Sequence, residues 1–251
     1  MLLLSAGLAG CLGRGGAETT GSLGLRGTDA TVRAKSEELG RRYEADPGNA
    51  SAALDYAATL RSLGQAAQAV AVLQQAAIRN PNQPAVLAAY GKALVDAGKL
   101  REAQDVLSRA HTPDRPDWRI LSVQGAVAGQ LGDIETAQRY YASALRIVPG
   151  EPSVLSNMGL TYALAKRLGE AEVILRQAAV HPQADARVRQ NLALVLGLQG
   201  KFGEAETVLK QDLPPAEAAQ TLAGIKGMVS QPNSWKALKQ SELPSSTSSR
   251  G

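Results

Sequence analysis

"GLQGKFGEAE" (residues 197–206) and "LVDAGKLREAQ" (94–104) place Gly, four spacers and Ala on one frame, with Glu immediately before the Ala. The frame recurs along the chain. Ala69, Ala103, Ala137, Ala171 and Ala205 stand at one constant spacing, thirty-four apart. Gly64, Gly98, Gly132 and Gly200 keep the same period, with Lys166 in the slot where one glycine is missing. Ala57, Gly91, Gly125, Gly159 and Ala193 form a third column. Ala76, Ala110, Ala144 and Ala178 form a fourth, which Asp212 breaks. Small residues in register over five turns of equal length define an internal repeat, and such a repeat has to be read before any other feature.

Residues 84–117 show what one repeat contains. Leu87, Tyr90 and Leu94 follow i, i+3, i+7, the apolar stripe of an amphipathic helix. Gly98 ends that helix, because glycine takes a left-handed cap without steric penalty. A second helix carries Leu100, Ala103, Val106, Leu107 and Ala110. Pro113 is expected to stop it, as Pro81, Pro149 and Pro182 do elsewhere. Helices approach closely only where side chains are short, so Gly91 and Ala103 mark the crossing points. A larger residue there should cost about 1–3 kcal/mol through overpacking.

A helix–turn–helix unit of this length resembles the tetratricopeptide (TPR) family. The match covers five repeats, 50–83, 84–117, 118–151, 152–185 and 186–219, with departures at Lys166 and Asp212. One helix pair cannot bury its apolar face alone, so the pairs stack. The resemblance implies an all-α, right-handed superhelical TPR solenoid with a concave groove. Residues 31–49, around "AKSEELGRRYEADPGN", read as an N-terminal capping helix. "PAEAAQTLAGIKGMV" (215–229) begins the opposite cap, which takes up 220–240 after the fifth repeat.

Composition narrows the function classes. Apolar residues make up 44% of the chain, enough for a packed core, while only 4% are aromatic, which suits Ala/Leu packing. Lys and Arg number 27 against 23 Asp and Glu, so the signs nearly balance. No dense basic run with interleaved aromatics occurs, which argues against nucleic acid as a partner. A single Cys excludes an intrachain disulfide and a multi-Cys metal site. His111 and His181, the two histidines, sit near the ends of second helices and are expected to be exposed or helix-capping. No nucleophile elbow, Walker loop or metalloprotease motif is present, and "GRGG" (13–16) and "GLRG" (24–27) lack the following Lys-Ser/Thr of a phosphate loop. The reading is a protein without catalytic residues, metal or cofactor.

The chain opens "MLLLSAGLAGCLGRGG". Residues 1–10 are apolar or small and far shorter than the roughly 20 residues that span a bilayer. They suit a signal-peptide core, although no Lys or Arg precedes them. Leu8-Ala9-Gly10-Cys11 resembles the bacterial lipobox, and the lone Cys falls in the lipidated slot. The alternatives are an ordinary signal peptide or an apolar terminus with an incidental Cys. Segment 1–11 is thus read as a lipoprotein signal with Cys11 as the lipidation site. Residues 12–30, rich in Gly, Thr and Ser, read as a flexible linker reaching about 25 Å. The lipobox resemblance, with Leu12 after the Cys, implies the periplasmic face of the outer membrane. At the other end, "NSWKALKQ" (233–240) spaces Trp235 and Leu238 three apart. It is read as a last turn docked on the solenoid, the alternative being a partner-binding peptide. "LPSSTSSRG" (243–251) lies in a Ser-rich tail, 241–251, expected to be disordered.

Over 117–206 the chain resembles TadD-type lipoproteins of the tight-adherence (Tad/Flp) pilus system. The likeness rests on "DWRILSVQGAVAGQLGDIETAQRYYASALRIVPGEPSVLSNMGLTYALAKRLGEAE" and "RVRQNLALVLGLQGKFGEAE", followed by "LPPAEA" and a late "NSW". It implies a non-enzymatic accessory protein of pilus assembly that helps the secretin assemble or localise, in a pilotin-like role. Another envelope TPR lipoprotein, for β-barrel assembly or polysaccharide export, is the alternative.

In TPR solenoids the first helix of each pair lines the concave face through its second, fifth, sixth, ninth, twelfth and thirteenth positions. In the fourth repeat this face includes Ser153, Ser156, Asn157, Leu160 and Leu164. In the fifth it includes Arg187, Gln190, Asn191, Leu194 and Leu198. Asn157/Asn191, Leu160/Leu194 and Leu164/Leu198 repeat one unit apart. An Asn amide donates and accepts at once and can hold a peptide group in two bonds. The leucines would take apolar side chains, and Arg187 a carboxylate. The opposing reading is that the Asn residues bridge adjacent helices and the cap covers the leucines.

Overall fold

The computed structural model describes residues 23–230 apart from position 113, with side chains from residue 31 onward. Cys11, the 12–22 part of the linker, Trp235 and Leu238 in the cap, and the 241–251 tail lie outside the described residues. Twelve α-helices follow one another, and no strand occurs among the described residues. Five helix pairs carry the period: α2 (Ala50–Ser62) with α3 (Ala66–Arg79), α4 (Pro84–Asp96) with α5 (Leu100–Ser108), and α6 (Trp118–Leu131) with α7 (Ile134–Ile147). Then come α8 (Pro152–Leu164) with α9 (Leu168–Ala179), and α10 (Ala186–Leu198) with α11 (Phe202–Leu209). Helix α1 (Leu23–Ala45) precedes them and α12 (Pro215–Ser230) follows. Each helix packs on its chain neighbours, and the first helices α2, α4, α6, α8, α10 and α12 also touch in succession, forming an inner layer.

Local chemistry sets the helix ends. The side chain of Asn49 accepts the Ala52 N–H at 3.0 Å, and that of Asp185 accepts the Val188 N–H at 2.9 Å. Asp133 caps α7 in the same way through the Thr136 N–H at 3.0 Å. These bonds satisfy N–H groups that have no partner inside the helix. At the end of α4, Gly98 adopts φ +72°, and the Lys99 N–H reaches the Leu94 carbonyl at 2.8 Å. Lys166 occupies the same turn after α8 with φ 63°, and the Arg167 N–H reaches the Tyr162 carbonyl at 2.9 Å. The turn therefore forms without its glycine, at the steric cost of a Cβ in the left-handed region.

The small-residue columns have a common partner. Leu73, Leu107, Tyr141, Leu175 and Leu209 recur on the same period along the second helices, each at most 1% exposed. Gly91, Gly125 and Gly159 on the first helices lie directly against them. A Cβ at Gly91 would stand 2.4 Å from Leu107, one at Gly125 2.7 Å from Tyr141, and one at Gly159 2.6 Å from Leu175. Each large side chain thus fills the notch that a missing Cβ leaves. The Ala column at 69, 103, 137, 171 and 205 is fully buried beside it. Tyr141 is the exception in a column of leucines, and its buried hydroxyl needs a partner. It finds the Thr161 hydroxyl at 2.9 Å, across the boundary to the next repeat. Burial pushes the Tyr141 phenol well above its ordinary value, so it stays neutral.

The ends follow the same frame. Leu39 on α1 is buried and stands one full period before Leu73, so the second half of α1 takes the place of a preceding second helix. Helix α1 starts at Leu23, so 23–30, expected in the flexible linker, are helical. Helix α12 takes the place of a sixth first helix. Ile225 meets Gly197 as Thr161 meets Gly129, but it comes four positions earlier in the frame. The short second helix α11, eight residues, brings α12 in early: it coincides with the 215–229 stretch read as the cap and overlaps the end of the fifth repeat as drawn, 186–219.

Two further expectations change. Helix α5 stops at Ser108, before Pro113, and a bridge between Thr112 and Arg115 lies ahead of α6. His111, between the two helices, is half-buried rather than exposed or capping. Its Nε2 lies 2.9 Å from the Gln124 Oε1, and its Nδ1 is buried without a partner among the described residues. His181 accepts the Gln183 N–H in the turn after α9. Asp212, which breaks the fourth small column, forms a two-point ion pair with Arg189 at 2.5 and 2.6 Å and ties the end of the fifth pair to α10.

Three outcomes are expected. Thr161→Val leaves the Tyr141 hydroxyl buried and unpaired and should cost about 1–3 kcal/mol in denaturant unfolding, whereas adding Tyr141→Phe should recover most of that loss. Lys166→Gly should raise stability by about 1 kcal/mol by relieving the left-handed turn, read as a higher Tm. The Glu172 carboxylate, 13% exposed, meets Lys201 of the next repeat at 2.7 Å and Arg176 at 2.8 Å. Hydrogen bonding from Lys201 leads in holding it down to about 2; burial opposes, and Arg176 and Gln199 assist. Its contribution is therefore complete above its ordinary pKa and lost as pH falls from about 4.5 towards 2. Unfolding curves of Glu172→Gln against the parent should converge across that window.

Candidate functional site in the concave inner layer

The first helices turn their second, fifth, sixth and ninth positions to the inner layer, and the fourth and fifth repeats form a recess there. Ser153, Ser156, Asn157 and Leu160 come from α8, and Arg187, Val188 and Asn191 from α10. The recess is small, with about 10 Å³ of space for water-sized groups. Five of the eight residues singled out for the groove thus meet in one place: Ser153, Asn157, Leu160, Arg187 and Asn191. Leu164, Leu194 and Leu198 do not line it. They are half-buried, and Leu194 packs with the core that α12 closes. Leu160 is itself 6% exposed and forms the floor rather than a free apolar contact.

The two Asn side chains do bridge repeats. Asn157 Nδ2 donates to the Ser122 hydroxyl on α6 at 3.0 Å, and Asn191 Nδ2 donates to the Ser156 hydroxyl on α8 at 2.9 Å. Both bonds join positions 35 apart, so they are successive rungs of one ladder. A carboxamide has two N–H donors and a carbonyl with two lone pairs. Each rung uses one donor. Among the described residues the carbonyl oxygen and the second N–H remain for the recess. The bridging and ligand-holding readings are therefore compatible: the rung fixes the amide's orientation, and its other edge faces the groove. Ser153 is oriented by the Glu151 carboxylate at 2.7 Å, which also caps α8. Arg187 lies 3.4 Å from Asp185, the cap residue of α10, and is about a quarter exposed.

Earlier in the solenoid the inner layer is charged rather than amidic. Arg61 on α2 pairs through Nε with Asp96 on α4, again 35 apart, and both side chains are largely buried. Lys92 on α4 is half-buried. Arg119 at the start of α6 stacks on Trp118, 4.5 Å from the ring centre. The same inward positions that select Asn157 and Asn191 select Asp55, Arg61, Lys92, Asp96 and Arg119 when applied to the first three repeats. Among the described residues no group of His, Cys, Asp or Glu is placed to hold a metal ion. No described helix is long and apolar enough to cross a membrane.

The family comparisons agree with this architecture. A tetratricopeptide repeat model matches residues 37–92 and 60–125, and a second tetratricopeptide repeat model matches 186–211. No curated protein matches the chain by sequence. Among solved structures, the chain is similar to PilW, described as a widely conserved type IV pilus biogenesis factor, with TM-score 0.60 and 23% identity over 79% of this chain and 93% of that one. It is similar to PilF of Pseudomonas aeruginosa, with TM-score 0.53 and 20% identity over 86% and 94%. It is also similar to TTC0263, a TPR protein of Thermus thermophilus, with TM-score 0.60 and 22% identity over 70% and 98%. At such identities the likeness establishes the fold. Five stacked helix pairs on one period, the two repeat matches and these structural relatives together show that the chain carries tetratricopeptide repeats and folds as an all-helical TPR solenoid.

Proposed function

We propose that this chain is a non-enzymatic scaffold of tight-adherence (Tad/Flp) pilus assembly, whose concave face holds an extended segment of a partner in the pilus and secretion machinery. The secretin, in a pilotin-like relationship, is the partner of choice. Lipid on Cys11 anchors the protein at the periplasmic face of the outer membrane. The observation that carries the binding reading is the recess of the fourth and fifth repeats, where two amides of fixed orientation stand one repeat apart over an apolar floor. Equivalent side chains on adjacent layers lie roughly 10 Å apart, a distance that about three extended residues cover. Two amide edges can therefore hold one backbone at successive sites, with Arg187 beside them for an acidic group. The pilus assignment is supported by the resemblance over 117–206 and by the likeness of the fold to PilW. The anchor is supported by "LAGC" ending at the lone Cys.

Two measurements test the reading. Asn157→Ala with Asn191→Ala should weaken capture of the secretin by about 1–3 kcal/mol, with a helical circular dichroism spectrum retained. Full affinity in the folded double variant would place the binding surface elsewhere. Cys11→Ser should move the protein from the membrane to the soluble fraction. Unchanged fractionation, with no acyl mass on the parent, would remove the anchor from the proposal.

A further inference from the structure

The rung between Asn191 and Ser156 leaves one group of the recess unspent. Ser156 is 4% exposed, and its hydroxyl oxygen accepts the Asn191 amide at 2.9 Å. That bond uses the oxygen and not the hydroxyl's own proton, which meets no acceptor among the described residues. A buried donor is costly until something accepts from it. Around it stand the second edges of the Asn157 and Asn191 amides, each oriented by its rung. Leu160 and Val188, 6% and 3% exposed, form the apolar floor. The space among these groups, about 10 Å³, admits one water-sized group. A leucine or aromatic side chain does not enter it. A methyl group enters but leaves the Ser156 proton unpaired. A hydroxyl accepts that proton and donates its own to an amide carbonyl, so it answers both kinds of partner. One repeat earlier the combination is broken: Ser122 holds the same rung, but Val123 stands where Asn157 does.

We infer that the recess of the fourth and fifth repeats is a pocket for one serine side chain of the segment held in the groove, and that this fit sets the segment's register. The inference rests on the reading above that Asn157 and Asn191 hold an extended chain, and it adds selection to that grip. The amide edges hold a backbone of any sequence, whereas the pocket rejects bulk and favours a hydroxyl. A serine hydroxyl stands on a single methylene, so the backbone crosses the mouth while the hydroxyl takes the water-sized space. Threonine carries a further methyl for which that space has no room. Leu160 and Val188 set the depth of the pocket. Ser153 sets its rim, held by the Glu151 carboxylate at 2.7 Å. Exclusion of larger side chains contributes to the choice of partner as much as attraction does.

The test selects a display library of random dodecapeptides on the full chain and counter-selects it on the folded Asn157→Ala, Asn191→Ala double variant. Only peptides held by the two amides remain, and they should share one position where serine is enriched and large apolar residues are missing. One such peptide, end-capped and carrying a neutral dye, is then made with Ser, Ala, Thr or Leu at that position. Anisotropy should show the Ser peptide binding about fivefold tighter than the Ala peptide, the gain of one neutral hydrogen bond. The Leu peptide should bind about tenfold more weakly than the Ala peptide, through overpacking. Val188→Ala deepens the pocket and should bring the Thr and Leu peptides towards the Ala one. Ser153→Leu, at the half-buried rim, closes the mouth and should make the Ser and Ala peptides equal. Circular dichroism checks both folds, and the rim variant decides if the floor variant does not fold. Selected peptides with no shared small position, equal affinity for the Ser and Leu peptides, or a serine preference that survives Ser153→Leu would each overturn the pocket and leave the grip standing. A selection that returns no peptide dependent on the two amides would overturn the grip and the pocket together. An N-acetylglucosamine tetramer that binds through Asn157 and Asn191 more tightly than the Ser peptide would overturn the inference in favour of a glycan.

Discussion

One contact is repeated through this molecule, and the rest of the structure depends on it: a large second-helix side chain seated in the notch of its own first helix. Leu107 against Gly91, Tyr141 against Gly125 and Leu175 against Gly159 leave no room for a Cβ. Because the notch is a missing atom, the fit is steric and the crossing point is fixed along both helices. That crossing decides which faces of each pair remain for the next pair, and so where the inner layer runs. The buried small residues at 69, 103, 137, 171 and 205 keep the second helices close enough for the fit to repeat. Stability in such an array is a sum of local units and nearest-neighbour interfaces.

Polar contacts refine what the notches establish. Arg61 with Asp96, Asn157 with Ser122 and Asn191 with Ser156 all join positions 35 apart, from a first helix to the first helix of the neighbouring repeat. Each pairing satisfies polar groups that the inner layer would otherwise bury alone, and each holds a side chain in one orientation. The inner layer thereby acquires two chemistries from one geometry: charged over the earlier repeats, amidic over the later ones. Tyr141 and Thr161 show the same logic inside the core, where one departure from leucine required a hydroxyl across the repeat boundary.

The period, the helix pairs and the turn glycines are legible in the sequence because small residues at tight crossings are sequence-local and recur. The partner column at 73, 107, 141, 175 and 209 is equally periodic but does not stand out, since Leu at a helical position reads as ordinary core. The cap at 215–229 is legible too and coincides with α12, but the slip of frame that brings it in is not. Helix α12 enters early because α11 is short, and no motif marks the shortening; Asp212 does so only indirectly, as the break in a column that turns out to be the partner of Arg189. Helix α1 reaches back over residues whose Gly and Thr content suggests a linker. At the site, the inward positions bring Asn157, Asn191, Ser153, Leu160 and Arg187 together, because solenoid geometry carries them there. Leu164, Leu194 and Leu198 stay outside the recess, since position on a helix face does not reveal how deeply a neighbouring helix covers it.

The rungs between first helices bear on how such a chain changes length over generations. Loss of 152–185 by unequal recombination would remove one whole unit and set Asn191 against Ser122, a rung of the same chemistry. Loss of 118–151 would instead set Asn157 against Ala88, which offers its amide nothing. The last units are thus interchangeable parts and the middle joint is not. A lineage of such proteins can therefore lengthen or shorten its gripping half by whole repeats while leaving the half that bears the charge untouched.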